Sequence, residues 1–129
     1  MPHYPVLQPN GKLAVWSTIV DCFTALDCSV DDAAAEIGRW HSGDVRGACV
    51  SVAAGLLPFD HWKDWDVCLG WVLVSVGEND ESVKYALSIT PDQTAARLYA
   101  DLIRAERAAD DLRFRWDDLR AGRAVGSAL

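Results

Sequence analysis

Basic side chains are scarce in this 129-residue sequence: 12 Lys and Arg stand against 19 Asp and Glu, and the formal net charge is −7. A protein that grips nucleic acid neutralises phosphates with lysine and arginine. The shortage of cations therefore argues against DNA as a partner. An acidic chain of this kind instead suits a protein partner with a basic surface.

Long apolar runs are missing as well. The longest apolar stretch, Val67 to Val76, is much shorter than the roughly 20 residues that a membrane-spanning helix needs. The first residues show no basic region followed by an apolar run, as a secretory signal would. The sequence therefore predicts a cytoplasmic protein with no membrane partner, and its four cysteines are expected to be thiols.

Motifs for catalysis or metal binding are also lacking. The sequence has no glycine-rich phosphate loop. The closest cysteines, Cys22 and Cys28, are too far apart for the short ligand spacing of most structural zinc sites. Glu36 and His41 are five residues apart and Asp60 and His61 are adjacent, so neither spacing reliably places a carboxylate against an imidazole across one helical face. We therefore expect no catalytic residue, no cofactor and no metal site, and hence no enzyme.

The strongest pattern that is present lies in the last quarter of the chain. Thr90 to Gln93 reads as a helix start, with Thr90 as the N-cap and Gln93 closing a capping box. Apolar residues then recur in steps of four and three until Gly122, which predicts a helix of roughly 31 residues with one apolar seam. The seam consists of Leu98, Leu102, Ala105, Ala109, Leu112, Trp116 and Leu119.

Two arrangements of this helix are open. It can pack lengthwise on the domain, or its seam can pair with a second copy of the chain. The small residues Ala105 and Ala109 favour pairing, because they allow two helix backbones to approach closely. We favour a combination in which the first half docks on the domain and the second half forms a homodimer.

Residues 1–57 predict a proline-rich arm, a short strand from Lys12 to Trp16 and three short helices. The first helix is expected from Ile19 to about Leu26. Ser29 and Asp44 have the side chains of N-caps for the second and third helices. Three short helices with tight breaks are typical of a helix–turn–helix layout.

The same region resembles a family of predicted antitoxins, in which a short strand precedes a helix–turn–helix. The resemblance covers about residues 11–57 and is carried by three short motifs: Gly11-Lys12-Leu-Ala-Val15 with Thr18, Ser29-Val-Asp-Asp32, and Asp44-Val45. Three positions depart from the family pattern, where Leu13 replaces a proline, Ser17 a glycine and Ile19 an arginine. The resemblance implies an antitoxin-like binding module.

Residues 58–66 form an aromatic and acidic connector. The apolar run 67–76 and the alternating segment 82–89 predict a β-hairpin around the loop Gly77 to Glu81, with two helices around the same loop as the alternative. Exposed aromatic and acidic side chains here would bind a partner. They are Trp62, Trp65, Asp60, Asp64, Asp66, Glu78, Asp80 and Glu81. The other reading of the aromatic rings is that they cover the core.

The sequence as a whole predicts a mainly α fold with a small β component. Its segments are 1–57, 58–89 and 90–122, within one compact domain. The predicted function is that of a small acidic protein-binding module, antitoxin-like or a phage-type inhibitor that occludes a basic surface of its partner. The alternative is a homodimeric helix–turn–helix transcriptional regulator.

Overall fold

The fold places three strands before five helices. The computed structural model describes residues 2–56 and 64–120, and within 110–120 it describes the helix backbone alone. The strands are β1 (His3–Leu7), β2 (Leu13–Ser17) and β3 (Cys22–Cys28). The helices are α1 (Val30–Gly38), α2 (Val45–Ala53), α3 (Trp65–Ser75), α4 (Glu81–Ser88) and α5 (Thr94–Arg120).

The strands form one antiparallel sheet in the order β1-β2-β3. His3 lies opposite Ser17 and Leu7 opposite Leu13, and the tight turn between β1 and β2 uses Gly11 at a φ of +84°. The register between β2 and β3 shifts between Leu13 and Trp16. Every residue of the central strand β2 is buried.

Alternate residues of β2 point to opposite faces of the sheet. Both faces are apolar, and helices cover both of them. Ala14 and Trp16 pack with residues of α3, α4 and α5. Leu13 and Val15 pack with residues of α1 and α2. The sheet therefore lies between α1 and α2 on one side and α3 and α4 on the other, and α3 lies between the sheet and α5.

The predicted fold class is wrong in two places. Residues 19–26, expected to be a helix, contribute most of β3, and the expected hairpin over 67–89 is the helix pair α3 and α4. The apolar run of α3 is buried on both sides, a pattern shared by core helices and core strands. The protein is an α/β arrangement with its strands N-terminal.

The N-terminal region is corrected in the same way. The arm over residues 1–11 contains β1, and without the first helix the helix–turn–helix layout is wrong. The two expected caps are confirmed: Ser29 accepts a hydrogen bond from the Asp32 amide at 3.1 Å, and Asp44 accepts one from the Gly47 amide at 2.9 Å.

The long C-terminal helix is present as α5, with 27 residues. It begins later than expected, because Thr90 is not its cap. The buried Thr90 hydroxyl donates to the Ala86 carbonyl and accepts a hydrogen bond from the Trp65 indole. The carboxylate of Asp92 accepts from the Thr94 amide at the start of α5 instead.

Candidate protein-binding surfaces

Helix α5 has two apolar faces. One face, formed by Ala96, Ala100 and Ile103, is buried, and it packs toward α3. The other points away, and we call it the outward face of α5; it consists of Leu98, Leu102, Ala105 and Ala109. At 100° per residue the two faces are about 150° apart around the helix axis. Leu98 and Leu102 are 58% and 56% exposed.

Among the side chains that the structure describes, Ile103 is the last buried one of α5. Every side chain from Arg104 to Ala109 is exposed. Arg107 still contacts α3, with its guanidinium carbon 5.6 Å from the centre of the Trp71 ring. Four of the seven seam residues therefore lie on the surface, and the side chains of Leu112, Trp116 and Leu119 lie outside the described residues.

An apolar groove of about 330 Å³ continues the outward face toward α3. Its walls are formed by Trp71 of α3 and by Tyr99 and Leu102 of α5, with Glu106 at its end. Leu102 belongs to both the groove and the outward face. Together they make a continuous apolar surface along one side of α5, of the kind that marks binding sites in soluble proteins.

The acidic residues expected to bind a partner do not form one patch. Asp64 and Asp66 lie at the start of α3, whereas Glu78, Asp80 and Glu81 follow its end. The 11 residues of α3 separate the two groups by about 16 Å. Asp60 and Trp62 lie outside the described residues.

Most of these acidic side chains have partners within the chain. Asp64 caps α3 and accepts a hydrogen bond from the Val67 amide at 3.0 Å. Asp80 caps α4, and the hydrogen bonds that it accepts from Ser82 and Val83 lower its pKa. Glu78 pairs with Arg97, and Glu81 pairs with Lys84 at 3.5 Å.

Asp66 is the exception. Burial raises the pKa of its carboxyl group, and the nearby carboxylates of Asp64 and Asp92 raise it further. Asp66 and Asp92 line an open groove of about 510 Å³ between the end of β1 and the connection from α4 to α5. Among the described residues no lysine or arginine lines this groove. A cation from a partner would relieve the repulsion there.

Trp65 belongs to the core. It is only 6% exposed, its indole N–H donates to the Thr90 hydroxyl at 2.9 Å, and its ring stacks on Phe23 with centroids 5.0 Å apart. Its ring therefore does not face a partner. For Trp65, the structure agrees with the alternative interpretation, in which the aromatic rings cover the core.

The thiols are poorly suited to nucleophilic chemistry. Cys28, Cys49 and Cys68 are buried, and Cys22 is half-buried. Burial raises the pKa of Cys49 to about 11, so its thiol stays protonated at neutral pH. No group of three or more His, Cys, Asp or Glu side chains in the described residues could hold a metal ion.

A cluster of His3, Trp40 and His41 has no signature in the sequence, because His3 is far from the other two residues along the chain. Nδ1 of His3 lies 3.2 Å from Nε2 of His41, and the His3 ring stacks on Trp40 with centroids 5.2 Å apart. Burial lowers the pKa of His3, and His41 lowers it further. The packing of β1 against α1, which ends just before Trp40, brings these residues together.

Comparison with known proteins gives no match: no protein-family model, curated protein or solved structure is similar to this chain. The antitoxin resemblance of residues 11–57 stays a prediction. Across residues 2–56 and 64–120, no helix combines the length and the apolar character that crossing a membrane would require.

Proposed function

We propose that this protein is a non-catalytic protein-binding module and that the outward face of α5 is its main contact surface. The observation that carries the proposal is the orientation of α5. Ala96 and Ala100 pack against α3, while Leu98 and Leu102 are left more than half exposed on the opposite side.

The exposed apolar surface of Leu98 and Leu102 supports this role, because a partner that covers the two side chains removes that surface from water. Burial stabilises a complex by roughly 25 cal/mol for each Å² of apolar surface removed from water. Leu98 and Leu102 are one helical turn apart, so a single partner element can cover both, as an amphipathic helix covers a groove. The neighbouring Trp71 and Tyr99 offer aromatic surface beside them, and aromatic residues are common in binding hot spots.

The charge of the domain supports a partner with a basic surface. Of the five arginines whose side chains the structure describes, four are already paired with carboxylates: Arg39, Arg46, Arg97 and Arg104. The fifth, Arg107, lies over Trp71. Acidic side chains are left in excess, and Asp66 and Asp92 line an acidic groove. A basic partner would be attracted to such a surface.

A cytoplasmic antitoxin-like protein, or an inhibitor that covers a basic surface of another protein, fits both features. Its acidic groove would attract the basic partner, and the outward face of α5 would supply a separate apolar contact surface. We do not extend the proposal to a helix–turn–helix regulator, because β3 occupies the place of its first helix.

Site-specific photo-crosslinking tests the proposal. A benzophenone amino acid is placed at Leu102, on the outward face, or at Arg104, which is also exposed on α5 but lies on a different side. After irradiation in an extract of the cells that make the protein, we expect a polypeptide adduct from position 102 and none from position 104. Mass spectrometry identifies the adduct.

Binding to the purified adduct partner then completes the test. We expect Leu102→Asp to weaken this binding at least tenfold. The same substitution at Leu56, another exposed leucine but outside α5, should leave it unchanged. Equal adducts from positions 102 and 104, or no adduct from either, would overturn the proposal.

A further inference from the structure

We propose that the outward face of α5 binds the same face of a second copy of this chain, with the two helices antiparallel. This inference rests on the proposed function and deepens it: a second copy covers the outward face, and the acidic groove is left for a partner with a basic surface. It follows from the order of large and small residues, from the charges beside the face and from the position of the domain.

The residue sizes favour an antiparallel pair. Along the face, the two leucines come first and the two alanines follow. If a two-fold axis passes between Ile103 and Arg104, Leu98 lies opposite Ala109 of the second copy and Leu102 lies opposite Ala105. Each large side chain then meets a small one, which lets the helices pack closely. A parallel pair would stack alanine on alanine at one end and lose that contact.

The flanking charges select the same direction. In heptad terms Leu98 and Ala105 occupy d positions, so Asp101 occupies g and Glu106 occupies e. Parallel helices bring each g residue to the following e residue of the other copy, which would set Asp101 against Glu106 twice. In antiparallel helices g faces g and e faces e. Asp101 then faces Ala108, and Glu106 faces Tyr99, without repulsion between like charges.

The net charge makes α5 the suitable place for two copies to meet. The chain carries a net charge of −7, so most surfaces of two copies repel each other. From Thr94 to Ala109, however, α5 carries Arg97, Arg104 and Arg107 beside Asp101 and Glu106. This segment is close to neutral, so two copies meet there with less repulsion than at the acidic surfaces elsewhere.

The domain leaves the face free. The face that binds α3 lies about 150° away around the helix axis, so each domain would sit on the outer side of the helix pair. Both domains can therefore keep their contact with α5 while the outward faces meet. The two-fold symmetry makes the contact self-complementary, as in most homodimers.

Sedimentation velocity over a range of protein concentrations tests for the second copy. We expect the full chain to sediment as a dimer that dissociates on dilution, and Leu98→Asp/Leu102→Asp to sediment as a monomer at all concentrations. Leu56→Asp is the control and should still dimerise. Circular dichroism confirms that each variant is folded, as expected for substitutions at exposed positions.

Electron–electron distance measurement tests the direction. A spin-labelled amino acid at Thr94, which is exposed at the start of α5, would lie roughly 28 Å along the axis from its copy in the antiparallel dimer. In a parallel dimer the two labels would sit side by side. Short distances would therefore overturn the antiparallel pairing.

A monomeric wild-type chain would overturn the inference altogether. If photo-crosslinking at position 102 then yields a different protein, the proposed function stands without the second copy. If it yields nothing, both fail.

Discussion

Gly70 of α3 lies directly against Tyr99 of α5: a methyl group built on Gly70 would come within 2.7 Å of the Tyr99 Cβ atom. It would also lie 3.0 Å from the Ala96 carbonyl oxygen and 3.1 Å from the Ala100 amide nitrogen. The two helix backbones therefore almost touch. This close contact fixes the rotation of α5 about its axis, and with it the direction in which Leu98 and Leu102 point.

Gly70→Ala is therefore expected to destabilise the protein by about 1–3 kcal/mol, because backbone atoms of α5 would have to move. Urea unfolding measures the change. Gly38→Ala is a suitable control, since no heavy atom lies within 4 Å of the methyl group it would add. Equal effects at the two glycines would show that the close contact between α3 and α5 is absent.

Asp66→Asn should stabilise the protein at neutral pH. Burial and the carboxylates of Asp64 and Asp92 raise the pKa of Asp66 in the folded state. The stability that it contributes is thus present below its unfolded pKa of 3.8 and is lost as the pH rises through the folded value. Removing its charge should raise the melting temperature at pH 7 and have little effect below pH 3.8.

Asp80→Asn is the control for this prediction and should act in the opposite direction. Hydrogen bonds from Ser82 and Val83 lower the pKa of Asp80, so its ionised form stabilises the start of α4. A lower melting temperature for Asp80→Asn beside a higher one for Asp66→Asn is the expected pair of results. A lower melting temperature for Asp66→Asn would contradict the repulsion inferred in the acidic groove.

The histidine pair should make stability fall in mild acid. The pKa of His3 is lowered by burial and by His41, while Glu36 acts in the other direction. Because the folded pKa is below the ordinary value of 6.5, stability is lost as the pH falls from 6.5 through the folded value. His3→Phe keeps a ring beside Trp40 and should reduce this loss, as measured by urea unfolding at two pH values.

Trp40 provides a second readout of the protonation of His3, since its exposed ring stacks on the His3 ring. Its fluorescence should change over the pH range in which stability falls. If wild type and His3→Phe lost the same stability between pH 7.5 and pH 5.5, other groups would have to be responsible.

Thiol labelling should be selective. Thiolates react with disulfide reagents, and the pKa of Cys49 is raised to about 11 by burial. Cys28 and Cys68 are also buried, whereas Cys22 is only half-buried. In the native protein at pH 7.5 we expect Cys22 to react slowly and the other three only after unfolding. Rapid labelling of more than one thiol would contradict this burial.

Local chemistry explains which parts of the fold the sequence could predict. Ser29 and Asp44 cap their helices because the side chain of each reaches an amide three residues later, within the same short segment. The spacing of Leu98, Leu102, Ala105 and Ala109 is likewise a property of one helix. These features need no knowledge of the rest of the molecule.

The errors lie where distant contacts decide the structure. Residues 22–28 become a strand because they pair with β2. The run Val67 to Val76 is helical because the sheet and α5 cover opposite sides of α3, and an evenly apolar segment does not reveal its period. Gly70, Ala96 and Ala100 were a usable signal, since small residues on two segments permit close helix packing.

Of the candidate surfaces, one likewise follows from local sequence and the other depends on distant contacts. The outward face of α5 follows from periodicity, whereas the acidic groove depends on the approach of Asp66 and Asp92 from separate segments. Trp65 lies in the core because Phe23 and Thr90 provide partners that the sequence alone does not place near it.

The most direct test of the account is the sedimentation mass of the wild-type chain beside Leu98→Asp/Leu102→Asp. The account predicts a wild-type mass near twice the 14.1 kDa of one chain at high concentration, and a folded variant with the mass of one chain. A wild-type chain that stays at 14.1 kDa at every concentration would contradict it.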